Sequence, residues 1–209
     1  MKNKIYFTIL LLIFLPISLF AASIEFSGGY TTLSMKEDNK KITLSNTANI
    51  KIDNLEITAE NINLSGNDYN YIECTNNVNF HDSENQLTLR CSSLKYYRDK
   101  DQIIVEGWVE IDDLKNSIYA TASYMEYDLA NSILDLSIEV KLLHSSEDDI
   151  MKCSCDILRV DLEDKNISLL GNSKVLYQDN TYKANAISIN LNNNDISMDG
   201  SIEANITTE

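Results

Sequence analysis

Two histidines and one cluster of three acidic residues are the side chains that could support catalysis or cation binding in this 209-residue chain. Nucleophilic catalysis needs an oriented base, which is usually a histidine. His81 and His144 lie next to or within polar turns without a motif around them, so we interpret both as exposed turn residues. Glu110, Asp112 and Asp113 could suggest a cation site, but they lead from a strand into a turn and lack the spacing of a calcium loop. The sequence therefore predicts a protein that is not an enzyme and needs no metal or cofactor.

The four cysteines have spacings that fit packing better than metal binding. No CxxC pair is present, which argues against zinc. Cys153 and Cys155 are two residues apart on one strand face, a poor geometry for a mutual disulfide. Cys91 and Cys155 occupy a position that is filled elsewhere by Ala59, Ala122 and Ala184. A small buried side chain explains both, while a Cys74–Cys91 bridge across a hairpin stays open as an alternative in an oxidising compartment.

An internal repeat of about 30 residues provides the elements that would position these side chains. Six segments share one pattern of alternating apolar residues, and they begin at Ile42, Ile72, Ile103, Leu134, Ile167 and Ile196. The starts are therefore 30, 31, 31, 33 and 29 residues apart. A fixed period in this range indicates stacked supersecondary units, none of which can bury its apolar face alone.

Each repeat contains two strands in which apolar and polar side chains alternate. In the third unit, Val105, Val109 and Ile111 fall on one face, while Glu106 and Trp108 fall on the other. Period two over eight or more residues predicts a half-buried strand. In the second strand of each unit the apolar phase slips by one residue after a small side chain, which indicates a recurring bulge or corner. Polar turns rich in Asp, Asn and Ser separate the strands.

These patterns predict an all-β protein with almost no helix. About twelve antiparallel strands that bend at a shared corner give a folded-over sheet with two open strand edges. The first strands, Ile24 to Leu33 and Ile42 to Ile52, should lie at the opposite end from the final strand, Ile196 to Ile206. Neither end carries a proline to blunt it, so we expect linear association through unlike ends.

Glycines at a fixed repeat position suggest where the interior could be widest. Gly107, Gly171 and Gly200 fall on the inward face and remove side-chain bulk there. Either strand twist and packing or room for a ligand would explain them. Ile138 occupies the same position in the fourth unit, so a groove should be narrower there.

The N-terminus has the features of an export signal. Lys2 and Lys4 precede a short apolar run, and Ala21-Ala22-Ser23 supplies small residues after it. This arrangement predicts a cleaved secretory signal peptide over 1–22 and a periplasmic location. The run is short for a membrane span, with an uncleaved anchor as the alternative. Residues 23–209 then form one exported domain.

The net charge is strongly negative. With 17 basic and 32 acidic residues the chain carries −15 at pH 7, and removing Lys2 and Lys4 leaves 15 basic residues and −17. Such a surface keeps a protein soluble and disfavours nucleic acid or an anionic membrane as a direct partner. A solvated exterior is the simplest explanation of the charge.

One motif runs through the repeat in recognisable form. It is clearest in Ile103 to Ile111, with the pattern I-x-x-x-G-x-V-x-I, and in Ala122-Ser-Tyr-Met-Glu-Tyr-Asp-Leu129. From about Ile42 to Ile206 the chain resembles the OstA-like family of periplasmic lipopolysaccharide-transport proteins. The resemblance implies a β-jellyroll folded like a half-open taco, acyl chains in its apolar interior, and end-to-end joining with neighbours of similar fold. The leader makes the soluble bridge component the nearer comparison, with the membrane-anchored component as the alternative.

The leading interpretation is a conduit that carries lipopolysaccharide or a related glycolipid toward the outer membrane. A long apolar groove would hold acyl chains, since each buried methylene gains roughly 0.8 kcal/mol. The candidate lipid-binding positions share the inward face of consecutive strands: Val78, Leu89, Val105, Val109, Ile111, Ala120, Ala122, Leu136 and Val140. The implied partners are glycolipid acyl chains, other OstA-fold transport components of the inner and outer membranes, and further copies of this chain joined head to tail.

Two other classes of protein compete with this interpretation. A structural or adhesive β-repeat protein of the cell surface would have a filled core instead of a groove, and co-purified lipid would discriminate the two. A polysaccharide hydrolase on a β-scaffold is disfavoured, because such enzymes need paired carboxylates at special positions and none departs from the repeat.

Overall fold

The computed structural model describes residues 23–36, 39–146, 149–193 and 195–207. The strands are β1 (Ile24–Ser27), β2 (Tyr30–Lys36), β3 (Asn39–Ile52), β4 (Leu55–Ser65), β5 (Tyr71–Asp82), β6 (Leu87–Tyr97), β7 (Gln102–Asp113), β8 (Ile118–Asp128), β9 (Ile133–Ser145), β10 (Ile150–Asp161), β11 (Asn166–Tyr177), β12 (Asn180–Asn190), β13 (Asp195–Asp199) and β14 (Glu203–Asn205). Two single-turn 3-10 helices, Asn67–Tyr69 and Arg98–Lys100, lie between strands. Among the described residues, no helix is long and apolar enough to cross a membrane. The predicted signal peptide over 1–22 lies outside the described residues.

All strands join one antiparallel sheet in which chain neighbours are sheet neighbours. At one end β1 and β2 both pair with β3, and at the other β13 and β14 both pair with β12. Each edge therefore consists of one strand that is interrupted partway, so the 14 strands amount to twelve bent ones (14 − 2). The sheet does not close on itself, and its first and last strands lie at opposite ends. The folded-over antiparallel β-jellyroll expected from the sequence is confirmed.

A row of bulges bends the sheet along a line that crosses the long strand pairs. At each bulge two residues of one strand oppose a single residue of the next, as Asn46 and Thr47 oppose Glu60. The first residue of each such pair has a positive φ, at Asn46, Asn76, Gly107, Ile138, Gly171 and Gly200. The phase slip seen in the sequence is this bulge, because the extra residue reverses which side chains of the following segment face inward.

The structure corrects our interpretation of the glycine position. Gly107 (φ 108°) and Gly171 (φ 70°) supply a left-handed backbone conformation at the corner, which residues with a Cβ rarely adopt. Ile138 adopts φ 68° at the same place, and its side chain is 59% exposed on the outside. The prediction of a narrower groove at Ile138 is therefore wrong, since this side chain does not enter the interior.

The two halves of the sheet on either side of the bulge row, here called the leaves, pack face to face. In β4, Ala59 faces the interior from one leaf, and Ile62 and Leu64 face it from the other. The one-residue phase slip lies between Ala59 and Ile62. The equivalent buried pairs are Leu94 and Tyr96, Met125 and Tyr127, Leu158 and Val160, and Ile187 and Ile189. Side chains from both leaves thus meet in one continuous apolar core.

Because every strand bends, its two ends come together on the side opposite the bulges. The turns after β3, β5, β7, β9 and β11 form the first turn row, and those after β4, β6, β8, β10 and β12 form the second turn row. We call the line along which the rows meet the mouth. Residues of both rows, such as Asn85 and Leu129, line one surface groove there.

Candidate functional site

The nine candidate lipid-binding positions lie together in the interior. They are Val78 in β5, Leu89 in β6, Val105, Val109 and Ile111 in β7, Ala120 and Ala122 in β8, and Leu136 and Val140 in β9. Val105 and Leu136 come from one leaf, and the other seven face them from the opposite leaf, where Val109 and Ala122 are direct cross-strand neighbours. Each is at most 2% exposed, so the side chains of the two leaves fill the interior against one another.

A buried polar cluster, the central clasp, joins the two turn rows across the mouth. It consists of Asp82 at the end of β5, Asn85 in the turn that follows, and Tyr127 near the end of β8. The Tyr127 hydroxyl donates to Asp82 Oδ2 at 2.9 Å, and Asn85 Nδ2 donates to the Tyr127 oxygen at 2.9 Å. Asp82 and Tyr127 are fully buried. Because a buried donor or acceptor that loses its partner is costly, these bonds hold the rows together in the middle of the molecule.

A second clasp, formed by Asp113, Asn116 and Leu162, lies one repeat further along. Asn116 Nδ2 donates to Asp113 Oδ2 at 2.7 Å within its own turn, and to the backbone oxygen of Leu162 in the opposite row at 3.4 Å. Asn116 Oδ1 is buried and has no hydrogen-bond partner among the described residues. At 3.4 Å, the bond from Asn116 to Leu162 is longer than the 2.9 Å bond from Tyr127 to Asp82 in the central clasp.

The pKa values of the two clasp carboxyls are shifted in opposite directions. Burial opposes the charged form of Asp82, but hydrogen bonds from Asn85, Tyr127 and Asn54 outweigh it, so the pKa of Asp82 is lowered. Burial dominates at Asp113 and raises its pKa, although hydrogen bonds from Asn116 act against the shift. Burial and the Asp82 charge together raise the pKa of the Tyr127 hydroxyl, which therefore keeps its proton for donation.

The clasp carboxyls occupy one repeat position that changes along the chain. Asp82, Asp113, His144 and Tyr177 each end the inward-facing series of a strand that leads into the first turn row. The sequence carries a signal for this, since Asp82 continues the inward parity of Val78 and so places a carboxylate at an apolar position. Our sequence reasoning missed it because the aspartate stands beside a polar turn.

The histidines are not the exposed turn residues that we expected. His81 lies in β5 and His144 in β9, and both are partly buried. His81 Nδ1 lies 3.3 Å from the Thr88 hydroxyl on the neighbouring strand. His144 faces a small cavity, and burial lowers its pKa. The expectation fails because the strands extend further into these polar segments than the composition suggests.

The fold separates the remaining candidate groups. Glu110 and Asp112 lie on the outer face of β7, whereas Asp113 is buried at the mouth. Within the described part of the chain, no group of three or more His, Cys, Asp or Glu is arranged to hold a metal ion. All four cysteines are free, and burial raises the pKa of Cys153 to about 12 and that of Cys91 to about 11. Such thiols are poor nucleophiles at neutral pH.

Both ends of the sheet expose apolar side chains. At the first end these include Phe26, Leu33 and Met35, and at the last end Ile202 and Ile206. The edge strands at each end have a partner on one side within the sheet. Their outer backbone groups are therefore open to pairing with another chain.

Comparison with solved structures finds the same architecture elsewhere. The crystal structure of LptH from Pseudomonas aeruginosa, the LptA-homologous periplasmic component of the conserved lipopolysaccharide transport device, matches with a TM-score of 0.55 and 12% sequence identity. The match covers 60% of this chain and 97% of that chain. No family model and no curated protein matches the sequence. At this identity the likeness establishes the fold, which agrees with the fold that the repeat implies.

Proposed function

We propose that this protein is a non-enzymatic lipid-binding bridge that carries lipopolysaccharide or a related glycolipid across the periplasm toward the outer membrane. The supporting observation is a continuous apolar interior within a fold shared with LptH, a periplasmic component of lipopolysaccharide transport. Acyl chains would lie along the nine inward positions, and the polar head group would stay in water. The export signal expected over 1–22 agrees with a periplasmic location.

The energetics favour an acyl cargo over a polar one. Each methylene that leaves water gains roughly 0.8 kcal/mol, and the interior away from the mouth is lined by apolar side chains. Because the leaves already pack against each other, a bound chain must part them. Parting the leaves loses mainly dispersion contacts between apolar side chains, which the bound chain replaces with its own. Binding and opening are therefore coupled in this proposal.

The proposed partners are other components of the same fold and further copies of this chain. Open backbone groups at both edges, with apolar side chains such as Phe26 and Ile202 nearby, suit strand addition. Joining unlike ends is heterologous and gives open chains of subunits whose interiors follow one another. Sedimentation over a wide concentration range should show linear growth that deletion of Ile196 to Glu209 abolishes. Association that survives this deletion would contradict the edge model.

A structural or adhesive β-repeat protein is the second candidate. The observation that favours it is the filled interior, in which all nine candidate positions are at most 2% exposed. In that case the core would pack against itself and take up no lipid.

Site-specific photo-crosslinking separates the two candidates. A photoreactive residue at Val109 would face the interior. One at Glu106 on the same strand would face outward, where the native carboxylate Oε2 lies 2.6 Å from Lys95 Nζ. The lipid-bridge proposal expects glycolipid adducts at Val109 and at Leu136, with Glu106 as the unlabelled control. Equal labelling on both faces would refute the assignment of the interior, and labelling on neither face would favour the filled core.

A further inference from the structure

Hydrogen bonds between successive turns stitch the first turn row together along most of the molecule. Three such bonds are present: Ser83 N to Asn54 O at 3.0 Å, Leu114 N to Gln86 O at 3.2 Å, and Ser145 N to Ser117 O at 3.0 Å. In each, the donor directly follows the inward position held by Asp82, Asp113 or His144. The acceptor directly precedes the second strand of the previous hairpin.

This series stops between the last two hairpins of the row. The equivalent groups are Gln178 N and Asp149 O, which make no bond with each other among the described contacts. The Asp149 carbonyl oxygen instead accepts from Ser146, from its backbone N at 2.9 Å and from its hydroxyl at 3.1 Å. The carbonyl is thus turned back into its own turn, and the described residues of this row show no backbone hydrogen bond between hairpins β9–β10 and β11–β12.

The strand ladder opens at the same place. Pairing between β10 and β11 ends at Lys152 opposite Leu176. Ile150 and Met151, the first two residues of β10, stay paired with β9 on their other side. By contrast, pairing between β6 and β7 continues to Leu87, the first residue of β6. A gap two residues long therefore separates the start of β10 from the end of β11.

Two cavities lie on either side of this gap. An open basin of about 820 Å³ lies outside, and a small cavity of about 10 Å³ lies inside against His144, Met151 and Ile189. Ser146 and Tyr177 line both of them. These two residues therefore stand between the outer surface and the apolar interior.

Apolar side chains that could contact an aliphatic chain lie on either side of the gap. On the basin side, Ile150 is 54% exposed and Leu176 is 37% exposed. On the inner side, Met151 and Ile189 belong to the apolar core. Apolar side chains thus lie on both sides of the gap, although Asp149, Lys152 and Asp179 also line the basin. The middle of the mouth, in contrast, is crossed by the hydrogen bonds of the two clasps.

We propose that acyl chains enter and leave the interior through this gap, the portal, between the start of β10 and the end of β11. Tyr177 is the side chain that moves aside. The proposal rests on the lipid-binding function proposed above and adds the place where the cargo crosses the wall. The two clasps hold the middle of the mouth shut until the leaves part around a chain that has entered.

A covalent block of the portal tests the proposal. Leu176→Cys places a thiol in the basin, and Leu114→Cys places a matched thiol in the exposed turn after β7, where the row is stitched. The native thiols should react slowly, because three are buried and burial raises the pKa of Cys91 to about 11. Each full-length variant is coupled to the same bulky maleimide polymer. Uptake of a fluorescent fatty acid is then followed by stopped-flow fluorescence.

We expect the label at position 176 to slow uptake by roughly tenfold or more, and the label at position 114 to leave the rate within about twofold of the wild-type value. As an independent measurement, unlabelled Tyr177→Ala should speed uptake by about threefold or more, because it removes the side chain between basin and cavity. Equal rates in the two labelled variants, with an unchanged rate in Tyr177→Ala, would overturn the portal and leave acyl binding intact. If the unlabelled wild-type protein takes up no fatty acid, the proposed function fails and the portal fails with it.

Discussion

The middle and the C-terminal third of the mouth are built on the same repeat but differ in the side-chain hydrogen bonds that cross the mouth. In the middle, Asp82 and Tyr127 are hydrogen-bonded between the rows at 2.9 Å. Two repeats further along, His144 takes the place of Asp82 and shares a small cavity with Ile189. An aliphatic side chain offers no hydrogen bond to an imidazole, and among the described residues His144 makes no side-chain hydrogen bond across the mouth.

The contrast shows that the interior and the access to it depend on different residues. The core is apolar from β3 to β12, and its units bend and pack alike. Whether a stretch of the mouth stays shut depends on one or two rim side chains in each unit. A repeat architecture can vary such positions independently, because each unit contacts mainly its neighbours.

Removing the Tyr127 hydroxyl should produce the largest difference between the two regions. Tyr127→Phe deprives buried Asp82 of a hydrogen bond, so the free energy of unfolding should fall by about 1–3 kcal/mol. The matched change Tyr177→Phe removes a hydroxyl that accepts from Gln178 at 3.4 Å in an exposed position, and should stay within about 0.5 kcal/mol. Urea denaturation followed by circular dichroism measures both. Equal losses would remove the distinction between a clasped and an unclasped mouth.

Removing backbone strain at the bulge of the fourth unit should stabilise the protein. It should leave the difference between the clasped and unclasped parts of the mouth unchanged. A β-branched residue at φ 68° is costly, and the Ile138 side chain is mostly exposed, so little burial is lost on its removal. Ile138→Gly should therefore raise the free energy of unfolding by about 1 kcal/mol. Gly107→Ala should lower it by about the same amount for the converse reason. A loss of stability in Ile138→Gly would show that this side chain contributes packing that outweighs the strain.

Mild acid should loosen the C-terminal part of the mouth more than the middle. Burial lowers the pKa of His144 from 6.5, so an open form binds the proton first as the pH falls through 6.5, and the closed form loses stability. Tyr177 is the other titratable side chain on the described lining of that cavity. The pKa of Asp82 is lowered from 3.8, so the central clasp stays ionised over the same range.

Hydrogen exchange measured by mass spectrometry at pH 7 and about pH 5.5, corrected for the intrinsic exchange rate, checks this difference. Opening over residues 142–146 and 149–151 should rise by roughly two- to threefold, with little change over residues 78–89. His144→Gln is the matched control and should abolish the pH dependence. Acceleration of equal size in both segments would refute the role given to His144.

Features that recur in every unit could be predicted from the sequence, because periodicity encodes them. Alternation in β7 separates inward Val105 and Val109 from outward Glu106, and the phase slip marks the bulge that bends the sheet. The role of Gly107 was misread, since an absent side chain can serve either free space or a left-handed backbone. Only the backbone φ angle distinguishes these two roles of a glycine, and the amino-acid sequence does not give that angle.

Contacts across the mouth could not be predicted in the same way. Asp82 and Tyr127 are 45 residues apart, and they meet because the twist of the bent sheet brings β5 opposite β8. The portal also depends on the backbone, because the Asp149 carbonyl turns toward Ser146 and the first two residues of β10 are not paired with β11. Repeat spacing shows that Asp82 and His144 are equivalent positions, but which side chain faces each of them follows from the three-dimensional offset between the leaves.

Analysis of lipid carried by the native protein tests the central claim most directly. The full chain, including residues 1–22, is produced in a bacterium that makes lipopolysaccharide, purified without detergent, and extracted with organic solvent for mass spectrometry. A lipid bridge should yield acyl-bearing glycolipid in stoichiometric amount, and added glycolipid should raise the Tm of the stripped protein, because a ligand that binds the folded state stabilises it. Protein that emerges free of acyl lipid, and whose Tm does not respond to added glycolipid, would instead identify the interior as a filled structural core.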